Sequence, residues 1–393
     1  MTPLPRGFDR YVANVGIKDH TDDFVVIAAG APVPAAGLFT RSRFAGPSVA
    51  VSREHLRDRR ARAVVVVSKN ANVATGPQGL ADARELAAGV AGRLGCDATD
   101  VLVTSTGVIG RPYPMDRLRA GIAAVPTDLG GTTAGHDRPS DVDAAARGIM
   151  TTDTVPKVAE APIGTGPARV VGIAKGVGMI EPDMATLIVV LLTDAAIEPK
   201  PLDEIARRVV DRTFNCVSID TDTSTSDTAV VLASGAAGRV DADEFESALH
   251  TVALSLTKQI ARDGEGAETL IEVRVDHARD TDQARRVAKA IVNSPLVKTA
   301  VHGADPNWGR VAMAIGKCST DVDIDPERVV IRFGTTEVYP HLLDDTALDG
   351  LSAYMAGDEV VVHVELHTGD ASATVWGCDL TDGYVRINAD YTT

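Results

Sequence analysis

Thr186 stands where a glycine-rich turn gives way to an apolar run, in the stretch KGVGMIEPDMATLIVVLLTDA spanning 175–195. A threonine hydroxyl is a poor nucleophile unless a base sits beside it. A cut at Ala185–Thr186 would supply one. The new α-amine of Thr186 would titrate near about 7.7–8.0 and be partly neutral at physiological pH. The small Ala185 leaves room for the strained peptide and the N-to-O acyl shift that such a cut needs. The competing reading is packing alone, because β-branched threonine is at home in a strand.

Other reactive groupings fare worse. His363 and His367 (HVELH) have the spacing of zinc ligands on a helix, but EVVVHVELH reads as a strand. There, four residues span about 13 Å, too far for one metal, and exposed strand histidines are expected. DTDTSTSD, 220–227, opens like a calcium loop but lacks the glycine at its sixth position and the glutamate at its twelfth. KGVG, 175–178, fits neither phosphate-loop pattern and reads as a tight turn that brings backbone close to something. The chain contains no G-x-S-x-G and no H-E-x-x-H. No metal site is expected.

The elements that must position Thr186 alternate along the first half. FVVIAA, ARAVVVVS, DVLVTS, RVVGIA and ATLIVVLLTDA read as strands, the last apolar on both faces. GLADARELAAGVAGRLG, PMDRLRAGIAAV and SDVDAAARGIM read as helices, the third capped by Ser140 or Asp141. TDLGGTTAGHDRPS is a loop by composition. Beyond residue 198 come helices over PLDEIARRVVDRTF, DADEFESALHTVALSLTKQIARD and DTDQARRVAKAIVNS, the last opened by an aspartate cap. CVSID, TAVVLASG and LIEVRV read as strands. The tail segments VVIRFG, EVVVHVEL, SATVWG and YVRIN read as an antiparallel, strand-rich lobe. The class is α/β, with helices covering sheets.

The 393 residues, 45% hydrophobic and 24% charged, suit a large globular unit with a core of small aliphatic side chains, since aromatics are 4%. A net charge of −15 argues against nucleic acid or an anionic membrane as partner. No apolar run approaches the 18 or so residues of a membrane span, and the start shows no secretory signal. Cys96, Cys216, Cys318 and Cys378 form no C-x-x-C pair and read as buried, reduced thiols in a cytoplasmic protein.

TRSRFAGPSV, NANVATG, STGVIGRPYPM, IMTTDTVPK, KGVGMIEPDMATL, SIDTDTSTSDTAV, DGEGA, NSPLVKTAVHGADPNWGRVAMAIGK and GYVRINADYTT occupy the chain from near residue 40 to its end. Through them the sequence resembles the ornithine acetyltransferases, also called glutamate N-acetyltransferases. It resembles most the paralogues of clavulanic-acid gene clusters. The resemblance implies an αββα-type layered sandwich of the aminopeptidase/ornithine acetyltransferase superfamily, N-terminal-nucleophile-like, with a smaller strand-rich C-terminal lobe. It also implies self-cleavage into 1–185 and 186–393, two interlocked chains commonly assembled as α2β2.

Roles follow by position. Thr186 would carry the acetyl group, with Thr106 and Gly107 as the oxyanion hole. Thr151 or Thr152, together with Lys175, Glu265, Asn388 and Thr393, would contact substrate. Asp305, Asn307, Trp308 and Arg310 would shape the site. The implied reaction is ping-pong transfer from N2-acetylornithine to glutamate, with no metal and no cofactor. Two positions depart from the family's commoner pattern: glycine is expected at Thr221 and asparagine at Ser226. They open a specialised-metabolism alternative with another donor or acceptor. A second alternative is an aminopeptidase/esterase-type hydrolase of the same fold, with water as acceptor.

Overall fold

The structure is a computed structural model that describes residues 1–130, 141–181, 187–341 and 343–390. Ala185, Thr186, Thr393 and the cap candidate Ser140 lie outside the described residues. Eight strands form the first sheet: β1 (Phe8–Ala13), β2 (Phe24–Phe39), β3 (Arg60–Asn70), β4 (Val101–Val108), β5 (Lys157–Pro162), β6 (Arg169–Lys175), β7 (Ile188–Ala196) and β8 (Thr228–Arg239). Its order is β4-β3-β2-β8-β7-β6-β5, with β1 paired to β2. The second sheet contains β9 (Leu270–Ala278), β10 (Val330–Phe333), β11 (Thr336–Tyr339), β12 (Glu359–Glu365) and β13 (Ala371–Cys378), in the order β11-β10-β12-β9-β13.

The helices are α1 (Pro47–His55), α2 (Gly76–Leu94), α3 (Met115–Ala124), α4 (Asp143–Ile149), α5 (Pro199–Arg212) and α6 (Ala242–Arg262) around the first sheet. Around the second are α7 (Thr281–Val292), α8 (Pro295–His302), α9 (Trp308–Gly316), α10 (Asp345–Met355) and α11 (Asp382–Asp390).

Strand β2 makes the fold layered. Its first half pairs with β3, the register breaks between Ala28 and Val33, and from Ala35 it pairs with β8. The sheet therefore doubles back on itself. Val25, Ile27, Val64 and Val66 of one half share a fully buried core with Val190, Leu192, Val230 and Leu232 of the other. Alternate residues point outward, as strand geometry requires. Phe24, Val26 and Val65 pack under α2 and α3, whereas Val189, Leu191 and Val231 pack under α5 and α6. The result is helix, sheet, sheet, helix. The second lobe adds its core to the α6 side through Val273, Val275 and Val362.

The tail differs from expectation in two ways. β12 runs parallel to β9, so that lobe is mixed rather than antiparallel. YVRIN lies in α11, a helix that turns Tyr384 and Asn388, four residues apart, to one side. CVSID is likewise no strand: a 3₁₀ turn spans Phe214–Cys216 and Val217 makes a single bridge to Trp376. Asp280 caps its helix as expected, accepting the N–H of Gln283, and Asp241 also caps α6, accepting those of Asp243 and Glu244. Asp141 pairs with Arg10 and accepts the backbone N–H of Ala144 in the first turn of α4, whose N-cap position is held by Val142.

Candidate functional site

The two halves of the folded sheet meet at their strand ends. Thr106 and Gly107 close β4, Lys175 closes β6, and the Lys175 ammonium donates to Thr106 Oγ1 at 3.2 Å. Both side chains are buried. Gly107 has φ +129°, and a Cβ there would lie 2.2 Å from the backbone carbon of Lys69, so only glycine fits. Burial lowers the Lys175 pKa from the usual lysine range, and Asp153 beside it opposes that shift.

The KGVG turn behaves as its composition predicts. Gly176 donates its N–H to Asp153 Oδ1 at 2.7 Å. Val177 accepts the backbone N–H of Glu265 at 2.8 Å. Gly178 then passes so close that a Cβ would stand 2.5 Å from Glu265 Oε2. That carboxylate also accepts from Thr152 Oγ1 at 3.1 Å and from Asn388 Nδ2 at 3.0 Å. Of the two threonines left open by the sequence, Thr152 touches Glu265; Thr151 turns its backbone N–H to Asp153 at 3.0 Å.

Residues 182–186 lie outside the described residues, yet both flanks are held. Glu181 accepts from Ser218 and from Asn293 Nδ2 at 2.7 Å, and pairs with Lys289 at 3.3 Å. Met179 and Ile180 donate their N–H groups to Asp220 at 2.6 and 2.8 Å. On the other side Leu187 donates to Asp227 Oδ1 at 2.8 Å. Asp227 is fully buried, and its Oδ2 has no hydrogen-bond partner among the described residues. Burial pushes this carboxyl well above the usual carboxylate range.

Sequence reasoning missed Asp153, Lys157, Asp227 and Asp263. The Lys157 ammonium, fully buried, lies 2.8 Å from Asp153 and 2.5 Å from Asp263. Burial alone would raise the Asp153 carboxyl, but Lys175 and Lys157 bring it down to about 2. The signal for Asp153 was its place inside TTDT; for Asp227 it was a lone acid at the mouth of the apolar run TAVVLASG.

Two of the DPNWGR residues have partners of their own. Trp308 stacks on Tyr339 and lines a separate cavity of about 550 Å³. Arg310 braces α8 through the Leu296 carbonyl at 2.7 Å. His363 is on β12, paired with Asp276, while His367 follows the strand and stacks on His277. The four cysteines are free, Cys216 and Cys378 buried and the other two half-buried. Among the described residues one group, Glu268, His302 and Asp379, brings three ligand-type atoms within 4.8 Å of one another. Asp379 already accepts the N–H groups of Glu268 and Thr269.

The chain matches the ArgJ family over residues 10–393. It is 57% identical over 395 residues to a Streptomyces clavuligerus protein named glutamate N-acetyltransferase Oat2, covering 99% of this chain and 98% of that one. It is 55% identical to an arginine biosynthesis bifunctional protein ArgJ 2 of Nostoc, again covering 99% and 98%. A crystal structure of the ArgJ protein from Bacillus halodurans is 41% identical, covering 51% of this chain and 98% of that chain, with a TM-score of 0.49.

Proposed function

This chain is a member of the ArgJ family, and from that premise we propose that it moves an acetyl group from N2-acetylornithine to glutamate through an ester on Thr186. The observation that carries the reading is the convergence of Thr106, Lys175 and Glu265 beside the anchored flanks of 182–186. The chain first cuts itself at Ala185–Thr186, leaving pieces of 185 and 208 residues (393 − 185). The freed α-amine is the base that activates the Thr186 hydroxyl.

The hydroxyl attacks the acetyl carbonyl, and the oxyanion meets the Thr106 hydroxyl and the Gly107 N–H. The amide C–N bond breaks, the departing nitrogen takes a proton, and ornithine leaves. The amine of glutamate then attacks the ester, the C–O bond breaks, and N-acetylglutamate leaves as Thr186 regains its proton. Glu265, held by Thr152 and Asn388, receives the ornithine ammonium. Thr151 and Thr393 complete the substrate contacts. No step calls for a metal or a cofactor.

Thr221 lines the cavity that contains Glu265, so it is the departure placed to alter acceptor choice in a specialised-metabolism relative. We place the protein in the cytoplasm as α2β2; its four free thiols suit a reducing compartment. The test is intact mass of the purified protein beside Thr186→Ala. Two pieces from the native sequence, one whole chain from the variant, and an acetyl adduct on the 208-residue piece after N2-acetylornithine are expected. A single uncut chain with full activity would overturn the reading. Steady acetyl release without glutamate would instead favour the hydrolase.

A further inference from the structure

Beside Glu265 the site wall continues into a cavity of about 210 Å³, lined also by Asp220, Thr221, Lys298, Asp379 and Tyr384. Lys298, on α8, is 4% exposed. Its ammonium donates to the Cys378 carbonyl and stands 3.9 Å from Cys378 Sγ. Among the described residues no carboxylate comes within the 4.0 Å of an ion pair with it. A buried ammonium answered by one carbonyl and a weak sulfur acceptor lacks its counter-ion.

The acids around it accept from other donors, and none of them pairs with Lys298. Asp220 takes the N–H groups of Met179 and Ile180. Asp379 takes those of Glu268 and Thr269 and pairs with His302 at 3.2 Å. Glu265 takes Thr152 and Asn388. Lys298 is thus the charged group of this wall with capacity left for an anion.

The proposed reaction brings two amino acids in turn to one nucleophile, and their side chains carry opposite charge. A carboxylate such as Glu265 suits an ammonium and repels a second carboxylate. We infer that Lys298 receives the side-chain carboxylate of glutamate, so that donor and acceptor are sorted by two neighbouring groups of opposite sign. This rests on the transfer reading above and adds a specificity residue to it. Lys298 acts on the second half-reaction and leaves the first to Glu265.

The test separates the halves. Lys298→Met keeps the stem and removes the charge, whereas Lys298→Arg keeps the charge. Acetyl-enzyme formation from N2-acetylornithine, followed by intact mass, is expected to be unchanged in both. The kcat/KM for glutamate is expected to fall about 10- to 100-fold in Lys298→Met and to be largely restored in Lys298→Arg. The preference for glutamate over glutamine should shrink with it. Equal loss in both half-reactions, or an unaltered glutamate-to-glutamine ratio, would overturn the assignment. If Lys298→Met does not fold, the ratio in the native protein and in Lys298→Arg decides: indifference to glutamine in place of glutamate sinks it. Failure of the native protein to form an acetyl-enzyme would remove the transfer reading itself, and this proposal with it.

Discussion

Glu265 and Gly178 fit together because residue 178 has no side chain: a Cβ there would stand 2.5 Å from Glu265 Oε2. Gly178→Ala should therefore push the carboxylate off Thr152 and Asn388 while the fold survives, since a side-chain end can yield where backbone cannot. A fall of about 10²-fold in kcat/KM for N2-acetylornithine is expected from such a misplacement. Unchanged kinetics would mean that Glu265 does not bind the donor.

Thr106 and Gly107 are adjacent, yet their substitutions should fail differently. Thr106→Val keeps shape but removes one donor, and with it the acceptor of the buried Lys175 ammonium, so kcat should drop about 10²- to 10³-fold and stability should fall by about 1–3 kcal/mol while the protein still folds. Gly107→Ala drives a Cβ into the Lys69 backbone at a φ of +129°, and soluble folded protein should not be recovered. A Thr106→Val variant that retains full kcat would remove the hydroxyl from the oxyanion hole.

The Asp153–Lys157–Asp263 group carries an acid-stability signature. Asp153 is held at about 2, below its ordinary 3.8, so its contribution is complete above about pH 4 and is lost as pH falls towards 2. That is worth roughly 2–3 kcal/mol. Melting curves between pH 6 and 2.5 should show the loss, and Asp153→Asn should flatten it. Lys157→Met strands two buried carboxylates and should cost about 3–5 kcal/mol at neutral pH. Equal stability of that variant would show the group is not a coupled unit.

Thr221 has a φ of +69°, a conformation that β-branched residues resist. Glycine, the residue expected at this position, would sit there without strain. Thr221→Gly should raise stability by roughly 1 kcal/mol, read by urea unfolding. A destabilised variant would mean that the threonine side chain makes a contact worth more than the strain.

These cases mark what local sequence could carry. Most of the β-branched runs became strands, and Asp280 became a cap, because both depend on neighbours a few residues away. KGVG signalled a close backbone approach for the same reason, though not to what. Partners distant in sequence were hidden. The parallel register of β12 on β9 is set by packing between segments some ninety residues apart. YVRIN has strand-like alternation but no sheet edge to join, and folds as a helix whose Asn388 reaches Glu265. Asp153 and Asp227 acquire meaning only once the ends of β4, β6 and β7 converge.

The strand order β2-β8-β7-β6 has a mechanical consequence for a protein cut at Ala185–Thr186. β2 and β6 would belong to the first piece and β7 and β8 to the second, so the second is gripped on either edge by the first. Breaking one peptide bond would free an amine without loosening a single strand. The pieces could part only by unzipping two rows of backbone hydrogen bonds in the middle of a dry sandwich, so they should melt together, and neither should be replaceable by adding it back.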